Sequence, residues 1–559
     1  MTSQFSNPGR GQIENESMLR AAQVTFERAF TDISRQLRWS FLPPLMIYFA
    51  GGFSGFTGIV GTFFVKEYLG LSAAFLAALA FWAGLPWTLK MPLGHLVDLV
   101  WRWKALLVYL GAALIAASLC IMFALVTQTV EMREWMSVEA WFVLSSLLAP
   151  AGYVVQDTVA DAMSVEAVPR VGPDGEALSE AESKALHTTM QTLGRIAFIT
   201  GLIVVALLNI VMFAGVEGLE QGQKAAVYAS IYAMALAIPV VSVSGVILSQ
   251  VMLAARARRL RAHGVNADEA ERLIYSQSQT TNPDYRIFSG GAAFVALTLV
   301  IGISDIPLAQ EIVFCGSMAI ITTLIYQLIQ KLPRAKAQAL IGTAIIIFVF
   351  RAVPLPGAGT TWFLIDRLGF DQQFLSVLSL IGSCFALIGM VLLRPLMARW
   401  SIAYIVVLLT LASGILALPN IGLYFGIQEW TARASGGVVD ARFIAIIDTT
   451  LESPLGQIAM IPMLAWIARN APVELKATFF AVMASFTNMA LTASSLLTKY
   501  LNQIFIVTRE VKDQSTGTVQ VPADYSQLGW LLITVALVGV TAPLLTVLLV
   551  QNSRLQAND

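Results

Sequence analysis

The sequence predicts an all-α protein that crosses a membrane many times. Hydrophobic residues make up 57% of the 559 residues and charged residues only 13%, roughly half the charged share of an ordinary soluble protein. The apolar runs are long and unbroken, whereas the strands of a membrane barrel alternate apolar and polar residues over short segments. These observations exclude a soluble enzyme, a disordered protein and a coiled coil.

Each of about fourteen apolar runs is close to the ~20 residues that a helix needs to cross a bilayer. The first six predicted spans are 41–65, 71–97, 105–127, 138–162, 186–213 and 225–253. A polar linker, 254–286, and two further spans, 287–304 and 311–330, precede the last six, which are 337–363, 372–393, 401–425, 440–468, 477–505 and 527–550. We therefore expect an N-terminal six-helix half at 41–253, two extra central helices within 287–336 and a C-terminal six-helix half at 337–551, with polar tails at 1–40 and 552–559.

The distribution of basic residues predicts the orientation. Most lysines and arginines outside the spans fall in the two tails and in every second loop, and such loops lie in the cytoplasm. We therefore expect a multi-pass protein of the cell membrane, of the bacterial inner-membrane type, with both termini cytoplasmic. The N-terminal tail has no apolar stretch, so no cleavable signal peptide is expected. Residues 14–38 have apolar side chains at helical spacing, which fits either an amphipathic surface helix or a tail without structure.

The charge and cysteine counts exclude several kinds of partner. Lys+Arg and Asp+Glu both number 35, so no basic surface for nucleic acid is predicted. Cys120, Cys315 and Cys384 lie inside apolar runs and lack metal-ligand spacing. The sequence has no Gly-rich phosphate loop followed by Lys-Ser or Lys-Thr, and no cluster that indicates a metal or an activated nucleophile. We therefore expect no metal, no cofactor and no enzymatic activity.

Two acid pairs lie inside predicted spans. Asp157 and Asp161 are four residues apart in the fourth span, so on a helix both point to one side. Asp448 and Glu452 repeat that spacing in the second half, which suggests two homologous halves facing a central site. Carboxylates at membrane depth favour a role as proton carriers. The alternative is that each pair holds helices together through a basic residue.

Three basic residues also lie inside spans. Lys90 stands between two prolines, which interrupt helical hydrogen bonding, and it either holds an anionic substrate or pairs with Asp161. Arg195 is a candidate anion contact, because a guanidinium binds a carboxylate through two parallel hydrogen bonds. Arg351 either lines a cavity or reaches the membrane interface.

The end of the second span and the loop after it contain three residues spaced four apart: Gly94, Asp98 and Arg102. A glycine that permits close helix contact, an acid four residues later and then a base resemble the loop of the major facilitator superfamily that latches two halves together. In that superfamily a base usually follows the acid directly, whereas here Leu99 follows. The resemblance implies a role in gating and not in contact with a substrate.

Taken together, these residues resemble the folate–biopterin transporter family, a branch of that superfamily. The matching residues are Pro86-Trp87, Lys90, Gly94 and Asp98 in the second span, Asp157, Asp161 and Glu166 in the fourth, and segments 456–462 and 480–488 in the second half. Asn488 thereby joins Lys90, Arg195 and Arg351 in the expected substrate-binding set. The resemblance implies a secondary active transporter that moves a folate, a pterin or a similar small organic anion with protons, by alternating access and without ATP.

Two other interpretations stay open. Muropeptide permeases, a neighbouring branch, also carry the Gln-Asp pair seen at Gln156-Asp157, and related proteins assist membrane assembly without transport. The two extra helices lie outside the resemblance, so we expect an insert that is not part of the transport core and packs either on its outside or between the halves. Its expected lipid-facing or packed residues are Phe294, Leu297, Ile301, Ile320 and Leu324, and its expected water-exposed acids are Asp305 and Glu311. The oligomeric state is left open, with a monomer as the simplest expectation.

Overall fold

The computed structural model describes residues 38–69, 71–168, 179–262, 264, 266, 285–304, 306–330, 332–392, 400–470, 476–512 and 519–556. The helices of the first half are α1 Leu42–Phe53, α2 Gly58–Tyr68, α3 Ala73–Thr88, α4 Lys90–Leu99, α5 Lys104–Thr127, α6 Thr129–Trp135, α7 Val138–Ala167, α8 Glu180–Met212, α9 Gln221–Ala235 and α10 Ala237–Ala262. The central pair is α11 Tyr285–Ile303 and α12 Ala309–Ile329. The second half contains α13 Arg334–Arg351, α14 Ala358–Leu368, α15 Gln372–Leu392, α16 Ile402–Tyr424, α17 Ile427–Ala434, α18 Ala441–Asn470, α19 Lys476–Ile504, the strands β1 Val511–Lys512 and β2 Val519–Val521, and α20 Leu528–Gln551.

The predicted spans coincide with these helices, singly or in series. In the described part of the chain, nine helical stretches are long and apolar enough to cross a membrane, judged by length and composition. Several predicted spans are divided between two helices, as at Leu89 between α3 and α4 and at Leu236 between α9 and α10. In the second half, the proline-containing segment 352–357 separates α13 from α14. Because proline removes a backbone donor, such interruptions are expected where the sequence places prolines.

Each half is a compact bundle, and the halves meet along two seams. In the first half α1 packs against α7, α8 and α10, and in the second half α16 packs against α18 and α20. The two seams between the halves are α3 with α19 and α8 with α15. Glycines allow close crossings within a half: a Cβ atom at Gly152 would lie 2.6 Å from the Gly111 carbonyl oxygen. Small residues at such crossings are typical of membrane helices, whose association depends on close packing.

The chain defines two membrane faces. We call the face at which the chain enters α1 and leaves α20 the terminal face, and the other the distal face. Lys66 near the end of α2 pairs with Asp366 near the end of α14, at 2.6 Å, so the ends of these helices share the distal face. The connections α5–α7, α16–α18 and α19–α20 lie on this face as well.

The central hairpin of α11 and α12 lies beside the seam of α3 and α19. It packs against α3 and α4 of the first half and against α19 of the second. Phe294 is buried in a cluster with Phe81, Leu85 and Met489, whereas Leu299 and Val300 on the same helix are exposed. One side of the hairpin therefore contacts the core, and the other side is apolar and faces outward, as a lipid-facing surface would.

One expectation about this hairpin was wrong. Glu311 was expected to be solvated at the surface, but its side chain is only 21% exposed and forms an ion pair with Lys499 of α19, at 2.6 Å. The Tyr500 hydroxyl also donates a hydrogen bond to Glu311, and the neighbouring Gln310 amide donates to the Ala78 carbonyl of α3 at 2.9 Å. The sequence could not indicate these contacts, because they join residues far apart in the chain. Asp305 lies outside the described residues.

Two short helices, of which α17 is amphipathic, occupy equivalent places in the two halves, between the third and fourth spans on the distal face. In α6, Val130 and Trp135 are exposed. In α17, Ile427 and Trp430 form an exposed apolar side, while Glu429 and Arg433 form an exposed ion pair at 3.7 Å on the polar side. Such a pair contributes little stability. The recurrence of a short helix at the same position supports the similarity of the two halves.

Candidate functional site

The break between α3 and α4 places Lys90 at the first residue of a helix deep in the first half. Leu89 follows the last residue of α3, and its N–H donates to the Pro86 carbonyl at 3.0 Å. Helix α4 then begins at Lys90 with Pro92 in its first turn, where a missing N–H is tolerated. The chain therefore changes helix at this point, as the two prolines indicated. The Lys90 side chain is directed toward α7.

Lys90 bridges both aspartates of α7. Its Nζ atom lies 2.6 Å from Asp157 Oδ2 and 2.7 Å from Asp161 Oδ2, so the two carboxylates do share one face of the helix, as their spacing requires. The exposed fractions are 23% for Lys90, 29% for Asp157 and 38% for Asp161. The three side chains are thus partly withdrawn from solvent and partly exposed.

Tyr48 of α1 is a member of this cluster that sequence reasoning missed. Its hydroxyl donates a 2.6 Å hydrogen bond to Asp161 Oδ1. The ring lies against Gly194 of α8, where a Cβ atom would be 2.8 Å from the ring, so the glycine makes room for the tyrosine. A Gly-Arg pair in one span and a tyrosine in another give no periodic signal, and no pattern in the sequence connects them.

Arg195 follows that glycine and belongs to the same region. It is half-buried and interacts electrostatically with Asp157. Its guanidinium also lies 5.3 Å from the centre of the Phe198 ring, a distance at which a cation is attracted to an aromatic face. With Lys90, Asp157 and Asp161, Arg195 completes a set whose formal charges sum to zero when both acids are ionised.

The remaining predicted substrate residues lie in the second half. The Asn488 side chain of α19 donates a 3.0 Å hydrogen bond to the Trp87 carbonyl of α3. This hydrogen bond therefore joins the two halves at Trp87, three residues before Lys90 in the sequence. Arg351 ends α13 and is half-buried at the start of the interruption before α14.

The second acid pair does not repeat the geometry of the first. Asp448 is only 8% exposed and accepts a 2.9 Å hydrogen bond from the Asn420 amide of α16, whereas Glu452 is exposed. The physical reason is that the stretch of α15 corresponding to Lys90, residues 381–389, has no basic residue. Asp448 and Glu452 thus keep the predicted spacing on α18 and interact electrostatically, but their surroundings differ from those of Asp157 and Asp161.

The predicted gating residues lie at the terminal end of the first half. A Cβ atom at Gly94 would lie 4.0 Å from Thr158, an ordinary contact, so the close approach expected of this glycine is not present here. Arg102 is exposed, and the Asp98 side chain lies outside the described residues. Next to them, Lys104 and Glu166 form a 2.7 Å ion pair that ties the start of α5 to the end of α7.

Among the described residues, no group of three or more His, Cys, Asp or Glu side chains could hold a metal ion. The chemistry that the cluster offers is that of cations and carboxylates: binding of an anion and exchange of a proton.

Three known proteins that are similar to this chain in sequence or in structure are transporters. The chain is 25% identical over 471 residues to the folate-biopterin transporter of Synechocystis sp. (strain ATCC 27184 / PCC 6803 / Kazusa), which covers 83% of this chain and 75% of that protein. A solved bacterial homologue of the human drug peptide transporters PepT1 and PepT2 has a TM-score of 0.56 at 14% identity, over 92% of this chain and 99% of that one. The nucleoside transporter NupG has a TM-score of 0.54 at 10% identity, over 91% and 99%.

The solved structures share the fold, and so confirm the predicted class of two six-helix halves with an all-α, major-facilitator-type architecture. The predicted resemblance to folate–biopterin transporters is confirmed by the Synechocystis relative. The family model of the BT1 family matches residues 51–559. This chain, a multi-pass membrane transporter and not an enzyme, therefore belongs to the BT1 family.

Proposed function

We propose that the protein is a secondary active transporter that moves a small organic anion, of the folate or pterin class, together with protons by alternating access. The observation that carries this proposal is the ammonium of Lys90 shared between Asp157 and Asp161, at 2.6 and 2.7 Å, in a partly accessible site. The Synechocystis relative, described as a folate-biopterin transporter, supports the substrate class.

The shared lysine couples an anion to a proton. When a substrate carboxylate takes one hydrogen bond of Lys90, either Asp157 or Asp161 loses its cation. An unpaired carboxylate at this depth is costly to keep ionised, so that aspartate takes up a proton. The anion and the proton therefore favour each other's binding, and by linkage the effect is reciprocal.

The formal charge of the site supports the same stoichiometry. Lys90, Arg195 and the two ionised aspartates sum to zero, and adding one carboxylate and one proton keeps the sum at zero. A neutral loaded site avoids the cost of moving net charge within the low-dielectric interior. A folate has a second carboxylate, for which we propose a second proton bound at Asp448. The exposed Glu452, on the same helix, would pass that proton between water and the buried Asp448.

Arg195, Lys90, Arg351 and Asn488 are the proposed substrate contacts. Arg195 and Lys90 suit carboxylates, since both are cations that already interact with acids of the site. Asn488 stands on the other half, beside Trp87, so a substrate that touched it would contact both halves. Contact with both halves is what allows binding energy to drive a change in their relative position.

The Gln156-Asp157 pair does not favour a muropeptide substrate. The Gln156 amide is buried and donates to the Val108 carbonyl at 3.2 Å and to the Ser242 hydroxyl at 2.9 Å. It therefore joins α7 to α5 and α10, and in this chain it packs helices together and makes no contact that would select a muropeptide.

Uptake into proteoliposomes tests the proposal. Purified protein is reconstituted, and uptake of labelled folate, biopterin and a muropeptide is measured with and without an imposed pH gradient. We expect folate or biopterin to accumulate only with the gradient, and a protonophore to abolish the accumulation. Gradient-independent equilibration would contradict proton coupling. Absence of uptake for all three, by protein that still assists assembly of a membrane partner, would favour the non-transporting function.

A further inference from the structure

Side chains from both halves converge on the distal face in a network that the proposed site does not use. Lys66 of α2 pairs with Asp366 Oδ1 of α14 at 2.6 Å. The hydroxyl of Tyr525, in the connection between α19 and α20, donates to Asp366 Oδ2 at 2.5 Å. Both oxygens of Asp366 are thus engaged, one by the first half and one by the second.

Arg509 makes a second contact across the same seam. It belongs to the α19–α20 connection, and its Nη1 atom donates to the Val65 carbonyl in the last turn of α2. A helix ends with partial negative charge on its carbonyls, so a guanidinium is favourable there. The guanidinium also lies 5.0 Å from the centre of the Trp362 ring of α14, and Arg509 is only 2% exposed. A loop of the second half therefore reaches onto a helix of the first.

The contact of Arg509 is favourable and still incomplete. Its Nε and Nη2 atoms are buried and have no hydrogen-bond partner in the described part of the chain. Buried donors without partners oppose the closed arrangement, because water would satisfy them if the halves separated. The favourable contacts of Arg509 and the cost of its unpaired donors offset each other in part. A contact of this kind can hold the two halves together and still allow them to separate.

Arg509 and Tyr525 keep their ionisation states near neutral pH. Burial lowers the pKa of Arg509 to about 10, which leaves the guanidinium charged at physiological pH. Burial, followed by the hydrogen bond to Asp366, raises the pKa of Tyr525, so its hydroxyl keeps the proton that it donates.

We propose that Lys66, Asp366, Tyr525 and Arg509 form a latch that holds the distal face closed, and that opening of this latch is a step of the transport cycle. The proposal rests on the proposed alternating-access function. The ion pair and the Arg509 contact both join α2 to the second half. A neighbouring ion pair of similar chemistry, Arg442 with Asp371 at 3.2 Å, stays within the second half and provides a matched control.

Distances measured between spin labels test the latch without substrate. Cys120, Cys315 and Cys384 are first replaced by serine. New cysteines then replace Val130 of the first half and Val438 of the second, which are both exposed on the distal face. Electron–electron dipolar spectroscopy of the purified protein gives the distribution of distances between the labels. The same variants are checked for thermal unfolding, so that folded proteins are compared.

We expect Lys66→Gln, and more strongly Asp366→Asn combined with Arg509→Gln, to increase the population at long distance. Arg442→Gln should leave the distribution unchanged. The charge reversal Lys66→Asp with Asp366→Lys should restore most of the short-distance population that either single change removes, which a variant that merely misfolds would not do. An unchanged distribution in the latch variants, or an equal shift in Arg442→Gln, would overturn the proposal. Because no substrate or gradient is present, a failure of proton-coupled uptake would leave this result unaffected.

Discussion

A lysine held between two aspartates within a helical bundle has two consequences at the scale of the residue. Loss of Lys90 would leave two carboxylates, 29% and 38% exposed, without their shared cation, and breaking such a pair is strongly destabilising. Loss of one aspartate leaves a neutral pair of Lys90 with the other. Substitution of an aspartate is therefore the cleaner test of the mechanism, because Lys90 keeps one carboxylate partner.

Asp161→Asn should abolish gradient-driven uptake and leave substrate binding measurable. The amide keeps the size of the side chain and accepts the hydrogen bond from Tyr48, but it cannot carry a proton. The measurements are uptake under a pH gradient and binding by calorimetry, with Glu217→Gln, on an exposed turn, as the control. Equal loss of folding and of binding would instead show a structural pair.

Arg195→Lys should weaken substrate affinity about tenfold, equivalent to roughly 1.4 kcal/mol. The lysine keeps the charge near Asp157, but it loses the planar fork that binds a carboxylate through two hydrogen bonds. Equilibrium binding of folate to the purified variant gives the ratio. Affinity equal to that of the unmodified protein would remove Arg195 from the site.

At the scale of the element, the sequence predicted where the helices lie, but not which helices are joined by side-chain hydrogen bonds. The apolar runs and the two prolines around Lys90 predicted both the second span and its interruption. The bond between Tyr48 and Asp161 joins residues 113 positions apart, and that between Arg509 and Val65 joins residues 444 apart. Helical periodicity reports only which face a residue occupies, so contacts of this range follow from the packing of helices and have no local signal.

The same limit explains the second acid pair. Asp448 and Glu452 match Asp157 and Asp161 in spacing, but the partner that decides their environment comes from a different helix. In the first half that partner is Lys90, and in the second it is Asn420. A repeat in one helix therefore does not establish a repeat of the site.

Deletion of 287–330 with a short polar linker should yield a protein that inserts, folds and retains uptake, at a lower melting temperature. The expected loss of stability follows from the packing of Phe294 on the core and from the ion pair of Glu311 with Lys499. Glu311→Gln alone should lower the free energy of unfolding by roughly 1.5–3 kcal/mol, the usual range for a hydrogen bond to a charged group. Thermal unfolding and uptake are measured on the same preparations. If the shortened protein folds but shows no uptake, the hairpin belongs to the transport mechanism.

At the scale of the whole molecule, the distribution of basic residues predicts that the terminal face is cytoplasmic. In a bacterial host, a fluorescent protein fused to the C-terminus should fluoresce, and alkaline phosphatase fused there should be inactive. The reverse is expected for the same reporters inserted at Gly436-Gly437, an exposed turn on the distal face. Activity of the phosphatase at the C-terminus would show that the assigned orientation is wrong. The proton gradient would then act on the site in the opposite direction.

The short helices α6 and α17 give each half its own anchor in the headgroup layer of the bilayer. Trp135 and Trp430 are exposed on these helices, and tryptophan prefers the boundary between acyl chains and headgroups. If the halves tilt against each other, both anchors must change their depth in that boundary. Bilayer thickness and lateral pressure then enter the free-energy difference between the two states of the transporter. Under the proposed alternating access, the surrounding lipid would thereby act as an effector of transport.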